Sequence, residues 1–366
     1  MPAPILDNFY FQSTKKFRNA LAFVLLFSAF IPGALWVFKD KLIQLPLSVR
    51  KANNFEQLAF LLFLNLFLLV LPFVSITCFE IIHSKKKLVG TSVFRVLRSD
   101  GYRLADVWYY FLHSLTGVLP LTVAFISLGS SEFNNQLSTW MNAGFSSTFD
   151  AGLILNNQVL FLALAVLFID LSHYIKHRCQ HSISLIWDLH EFHHSASEMT
   201  IFNNFRESPH QGIFTNTITL PLTAFSAFAL DKTLPNVSIY AILFTYGVYM
   251  LVFSFNTFLG HSSTKVIYPK PISWIFMSPS LHWIHHSNDP AHYDKNFGLV
   301  FTFWDRLFGS YLSEAHIVDI TAFGVTNSQY NKFHPIYSWL ALPYIKIMRR
   351  LKKSILNKSL THLISH

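Results

Sequence analysis

The chain has 366 residues, 52% of them hydrophobic and 13% charged, with a formal net charge of +9. The charged fraction is about half that of an ordinary soluble globular protein, which argues for a membrane protein, and 38 Phe and 14 Tyr suit a lipid-facing surface and a greasy interior. With Cys78 and Cys179 far apart and no other cysteine, a disulfide framework and a cysteine metal site are both disfavoured, so any metal must take nitrogen and oxygen donors.

In chain order, apolar runs at residues 17–38, 58–79, 107–128 and 153–174 reach the roughly 18 to 25 residues that cross a bilayer as helix. The run 213–230 is shorter and carries Thr and Asn, whereas 237–259 is long enough to span. The expectation is therefore an all-α, multi-pass transmembrane helical domain of five or six spans. Lys15, Lys16 and Arg18 precede the first span without a small-residue cleavage site, so that span is expected to stay and the N-terminus to face the cytosol. The basic loop from Lys85 to Arg103 falls on the same side, and the loop 129–150, with no Lys or Arg, falls on the other. Basic residues so distributed follow the positive-inside rule and speak against a nucleic-acid partner. Residues 1–150 form an N-terminal transmembrane region with almost no candidate chemistry. The basic tail 313–366, above all Lys346 to Lys358, is expected to lie partly at the membrane surface.

Between these regions the histidines crowd together. His177-Arg178-Cys179-Gln180-His181, His190-Glu191-Phe192-His193-His194 and His282-Trp283-Ile284-His285-His286 hold eight imidazoles, at the i, i+3 and i+4 spacings that share one helical face. The proposed topology brings all three boxes, and His261, to the cytosolic face. Isolated histidines (His83, His113, His316, His334, His362, His366) are ordinary helix-end or snorkelling residues. The second box admits two readings. As His190-Glu191-x-x-His194 it is the signature of an intramembrane zinc metalloprotease, with Glu191 as general base. As His190-x-x-His193-His194 it matches the third box, where Trp283 occupies the place of Glu191. Eight imidazoles exceed what one tetrahedral zinc uses and suit two metals of higher coordination number.

The order Asp170-x-x-x-Tyr174-x-x-His177-Arg178-x-x-His181, HxxHHS from His190, HxxHH from His282, Asp294-x-Asn296-Phe297-Gly298 and Trp304-Asp305-Arg306-Leu307-Phe308-Gly309-Ser310-Tyr311 resembles the sterol desaturase and fatty acid hydroxylase superfamily. The likeness covers about residues 160–312, and it marks 151–312 as a fatty acid hydroxylase-like catalytic region. It implies an integral membrane diiron oxygenase of the bacterial inner membrane or endoplasmic reticulum. Such an enzyme uses O2 and two electrons to hydroxylate or desaturate an unactivated C–H bond of a lipid, for example a sterol or fatty acyl chain. Two iron ions (Fe2+/Fe3+), with zinc as a possible substitute, are implied on His177, His181, His190, His193, His194, His261, His282, His285 and His286. Asp170, Asp294 and Asn296 are expected to orient ligands by accepting a second ring N–H, and His173 either to support the ligands from behind or to be structural. Where many relatives read HHSSE followed by Asn, this chain has Ser195, Ala196, Ser197, Glu198, Met199 and Thr200. With no dinucleotide fingerprint, haem motif or fused cytochrome-like segment in the sequence, the electrons are expected from an external donor, a small cytochrome or a ferredoxin with its reductase. The basic loop from Lys85 to Arg103 and the basic C-terminus either dock such a donor or only set the topology.

Overall fold

The computed structural model describes residues 70–83, 90–97, 105–110, 158–208, 211 and 239–364. These residues build helices and 3-10 turns, with isolated bridges of Phe276 to Phe301 and Ser287 to Phe323 and, among the described residues, no strand. The elements used below are α1 (Ser92–Leu97), α2 (Gln158–Ser182), α3 (Ser184–His194), α4 (Ile239–His261), α5 (Pro279–His285), α6 (Phe303–Leu307), α7 (Pro335–Leu340) and α8 (Leu342–Ile364).

Local chemistry explains where several of these helices begin. Ser278 caps α5, its hydroxyl accepting the Leu281 N–H at 3.3 Å, and Pro279 sits at the first helical position, where no donor is needed. Pro335 opens α7 in the same way. Between α2 and α3 the extended Ile183 (φ −101°, ψ 110°) breaks the helix, and α3 packs back against α2. α4 packs against α5 and against the 3-10 turn Ile201–Phe205, and α8 packs against α3. The apolar core lies in three clusters around this arrangement: Ile76, Ile201, Phe202 and Phe258 in one, Met277, Leu281, Ile284 and Ile317 in the second, and Tyr109, Phe192, Tyr330 and Trp339 in the third.

Of the six apolar runs, 153–174 and 237–259 overlap α2 and α4, which take in their residues 158–174 and 239–259. The runs 17–38 and 213–230 lie outside the described residues, as do most of 58–79 and 107–128. Among the described residues no helix is long and apolar enough to cross a membrane.

The first half is not chemically idle. Glu80, fully buried at the end of the helix over 70–83, accepts from Ser92 N (2.8 Å) and Ser92 Oγ (2.6 Å) at the start of α1. It also accepts from Ser262 Oγ and Ser263 N, both at 2.8 Å, just beyond the end of α4. One carboxylate thus ties together segments more than 180 positions apart in sequence. Asp106 pairs with the buried Arg206 at 2.9 Å and accepts Asn203 Nδ2 at 2.6 Å. Arg206 also donates to Asn331, and its guanidinium lies 5.2 Å from the centre of the Phe192 ring. The α8 helix does not sit wholly at a surface: Arg350 makes two hydrogen bonds to Asp188 (2.6 and 2.8 Å), and Lys346 pairs with Glu191.

A buried charge stripped of its partner costs about 3–5 kcal/mol, whereas replacing both members by apolar residues is often neutral. Asp106→Ala should therefore lower the apparent unfolding temperature of the purified protein sharply, and the double variant Asp106→Leu/Arg206→Met should recover most of the loss. Equal damage in the single and double variants would show that Arg206 matters through Asn331 and Phe192 instead.

Candidate metal centre

All nine histidines implied by the sequence come together in two adjoining groups. His177, His181, His190, His194 and His285 form one, and His193, His261, His282 and His286 the other. Within each group one ring nitrogen per residue lies within 4.8 Å of all the rest. Helix periodicity sorts them. In α3 the i, i+4 pair His190 and His194 enters the first group while His193 crosses to the second. At α5 the i, i+4 pair His282 and His286 enters the second group while His285 crosses to the first. The groups touch where the rings of His194 and His286 stack, 4.3 Å between centroids. Gly260 permits the approach of α4 to α5, since a Cβ there would lie 3.1 Å from Cδ2 of His282.

The nitrogens face one another at short range: His181 Nε2 to His194 Nε2 at 3.1 Å, His193 Nε2 to His261 Nε2 at 3.2 Å, and His261 Nε2 to His282 Nε2 at 3.3 Å. Two nitrogens each about 2.1 Å from a shared ion stand roughly 3.0 Å apart in an octahedron and about 3.4 Å apart in a tetrahedron. Nε2 of His190, His285 and His286 and Nδ1 of His193 are buried without a hydrogen-bond partner. Buried polar atoms are rarely left so, and lone pairs converging from neutral rings are what a cation satisfies. The donor set therefore fits a pair of metal ions. Five imidazoles in one group exceed a tetrahedral zinc shell and suit an ion of higher coordination number.

The outer ring nitrogens are tied to backbone carbonyls. His177 Nδ1 donates to Phe297 O (2.8 Å), His285 Nδ1 to Lys295 O (2.8 Å) and His261 Nδ1 to Thr257 O (2.9 Å). Such bonds fix the tautomer and leave Nε2 free for a metal. The Gln211 amide lies 3.1 Å from His190 Nδ1. Asp294, exposed at the rim, stands 3.6 Å from His181 Nδ1 and is the one of the three candidate orienting residues that faces a ligand ring.

Asp170 and Asn296 act elsewhere. Asp170 accepts from Tyr249 Oη (3.1 Å) and Trp304 Nε1 (3.0 Å), tying α2 to α4 and to α6. His173 bonds the same Tyr249 hydroxyl at 3.1 Å, a structural position. Asn296, at a positive φ of 56° that suits Asn, bonds Leu281 O and Leu312 O through Nδ2 and accepts the Leu312 N–H. It clamps the loop rather than a ring.

Asp305, named in the sequence motif but given no role there, orders that loop. Fully buried, it accepts from Phe297 N (2.7 Å), Gly298 N (2.8 Å) and Ser310 Oγ (2.7 Å). Gly298 has no room for a side chain, because a Cβ would meet the Phe301 carbonyl and stand 2.9 Å from Asp305 Oδ2. The carbonyls of Lys295 and Phe297 are held in place by this loop.

Glu191 takes no part in the cluster. Its carboxylate pairs with Lys346 and is 3.4 Å from Ser328 Oγ. The zinc-protease reading needs it as base beside the ion, and here it fastens α3 to α8.

Burial, and then the neighbouring imidazoles, hold His177, His190, His193, His194, His282 and His286 well below the usual imidazole range. Burial brings His261 down to about 4, and it lowers His181 against the opposing pull of Asp294. The rings are neutral donors at neutral pH. A folded pKa below the unfolded value of about 6.5 means that the unfolded chain binds more protons as pH falls, so stability is full above that pH and lost beneath it. The metal-free protein should show an unfolding temperature flat above about pH 7 and falling steeply below about 6.5; a flat profile down to pH 5 would contradict the buried neutral cluster. Asp305→Ala should weaken metal retention about 10- to 100-fold, as loss of an outer partner commonly does, measured by competition with a chelator. Glu191→Gln should leave retention unchanged.

Residues 162–310 match the family model described as fatty acid hydroxylase. The chain is 28% identical over 170 residues to the alkylglycerol monooxygenase of Caenorhabditis elegans, covering 46% of this chain and 30% of that protein. It is 28% identical over 172 residues to the alkylglycerol monooxygenase of Homo sapiens (47% and 34%) and 25% identical over 206 residues to an ornithine lipid hydroxylase of Rhizobium tropici (56% and 55%). The chain spans about a third of the length of the alkylglycerol monooxygenases it matches, and no solved structure matches it. The box motifs and the family match agree: residues 162–310 are similar to the fatty acid hydroxylase family, which supports the likeness to the sterol desaturase and fatty acid hydroxylase superfamily over that region.

Proposed function

We propose that the protein is an integral membrane oxygenase that holds two iron ions in its nine-histidine centre and hydroxylates an unactivated C–H bond of a lipid. The observation that carries this reading is the pair of adjoining, largely buried, all-imidazole groups, in which Nε2 of His190, His285 and His286 have no hydrogen-bond partner. Iron bound there supplies the redox chemistry that places one atom of O2 in the C–H bond and reduces the other to water, with two electrons and two protons delivered from outside. His177, His181, His190, His194 and His285 hold one ion, and His193, His261, His282 and His286 the other.

The chain's own contribution is position and exclusion. The carbonyls of Thr257, Lys295 and Phe297 keep the rings in one tautomer. The ligand side chains and their packing neighbours Phe192, Leu281 and Ile284 are buried, which keeps bulk water from the reacting carbon. Zinc substituting for iron would keep the geometry and remove the redox chemistry.

Among lipids, the alkylglycerol monooxygenase and ornithine lipid hydroxylase relatives make glyceryl ether lipids and acylated amino lipids the first substrates to try. Hydroxylation is the favoured outcome over desaturation because the relatives' names describe oxygen insertion. The apolar runs of the sequence support a multi-pass protein of the bacterial inner membrane or endoplasmic reticulum, with the site on the cytosolic side. A small cytochrome or ferredoxin with its reductase is the proposed electron donor.

The test is the metal content of detergent-purified protein from iron-replete cells, with His193→Ala and His285→Ala alongside, followed by an O2-dependent assay on those lipids. About two metals per chain, lost or halved in both variants, with hydroxylated product from the wild type alone, is the expected result. One metal per chain that is indifferent to His285→Ala would sink the dinuclear reading.

A further inference from the structure

A third group of donors lies outside the nine-histidine centre. His292, His316 and Asp319 each offer one ligand atom, and these atoms lie within 4.8 Å of one another. His292 belongs to the loop after the third box, and His316 and Asp319 to the 3-10 turn Glu314–Asp319. Taken alone, His316 reads as an ordinary isolated histidine; the fold gives it two partners 24 and three positions away in sequence.

The three are arranged as donors to an ion are. His292 is 1% exposed and its Nδ1 is fixed 2.9 Å from Ser287 Oγ, directly after the ligand His286. With Nδ1 engaged, Nε2 is the nitrogen left for an ion. His316 Nδ1 and Asp319 Oδ2 stand 3.0 Å apart, close to the edge that two donors on one ion span. The rings of His292 and His316 are 6.2 Å apart at an interplanar angle of 69°, so they do not stack on each other. The side chains of His316 and Asp319 are about half exposed, 46% and 50%, so an ion enters from solvent and their rotation closes the set.

We propose that His292, His316 and Asp319 form a third divalent-metal site, open to solvent, for a borderline transition ion such as Zn2+. Two imidazoles and a carboxylate are the mixed nitrogen and oxygen set that zinc, cobalt and nickel accept, with water completing the shell. The site depends neither on the nine-histidine centre nor on the oxygenase reading. Its consequence is mechanical. Ile317, inside the same turn, packs in the core cluster with Trp283 and Ile284 of the third box, and Glu314 accepts from Ser278, the cap of α5. An ion at this site staples the loop that leaves the third box to the turn that packs on it.

The experiment is equilibrium dialysis of the full-length purified protein against Zn2+, with bound zinc counted per chain in the wild type, His316→Ala and Asp319→Asn. Both substitutions are on half-exposed side chains, so folding is retained, and the buried His292 is left in place. The wild type should bind one equivalent more than either variant, and only the wild type should show a zinc-dependent rise in unfolding temperature beyond that given by the ions common to all three. Equal uptake in all three proteins overturns the site. Uptake lost in one variant alone leaves a single surface donor and overturns it too. Failure of the nine-histidine centre would appear differently, as low zinc common to all three proteins with the difference between them intact.

Discussion

Nine imidazoles packed in mutual contact with their nitrogen lone pairs facing each other are the constraint around which the rest is arranged. Neutral rings at 3.1 to 3.3 Å cannot all be donor and acceptor at once, and Nε2 of His190, His285 and His286 find no partner. Burial makes an unsatisfied nitrogen costly. The helix period then decides the number of centres. A box of the form HxxHH sends its i, i+4 pair to one point and its middle histidine to another, and two such boxes facing each other reciprocally make two points. One box alone would make one point; the exchange between boxes makes two.

What surrounds the cluster fixes rotations rather than adding stability. Asp188 and Glu191 lie on one face of α3 and meet Arg350 and Lys346, one turn apart on α8. Partly exposed pairs of this kind add little net stability, but two of them a turn apart leave α3 one rotational setting. Phe192, between the ligands His190 and His193, is held at 5.2 Å by Arg206 and edge-on at 4.9 Å by Tyr109. Asp305 gathers three donors from the loop 295–310, which presents the carbonyls of Phe297 and Lys295 that receive His177 and His285. The rear of one box and the front of another are thus set by side chains that never approach the metal positions.

The clustered histidines were legible in the sequence because their spacing is local: three or four residues on a helix define a face wherever the helix lies. The division into five and four was not, since which histidine crosses depends on how α3 and α5 face each other. Glu80, Asp106 and Asp305 were harder still. Glu80 meets Ser262 and Ser263 across more than 180 positions, and a lone Glu at the end of an apolar run carries no periodic signal. Asp170 stood correctly among motif residues, yet its partners are an indole and a phenol from distant helices. Asp294 stands 3.6 Å from His181 Nδ1. The membrane spans rest on apolar length, much of it outside the described residues.

The second position of each box shows how the two competing frames of the second box resolve. Glu191 and Trp283 occupy the same place in HxxHH and share no chemistry, so a common catalytic role is ruled out. In the fold they share a location, each pointing away from the imidazoles into the packing behind its own box. Trp283 stands edge-on to Phe323 at 5.4 Å within an apolar cluster, and Glu191 reaches Lys346 beside the Tyr330 ring. The residue there answers to whatever the next element presents, an aromatic wall in one case and a basic helix in the other.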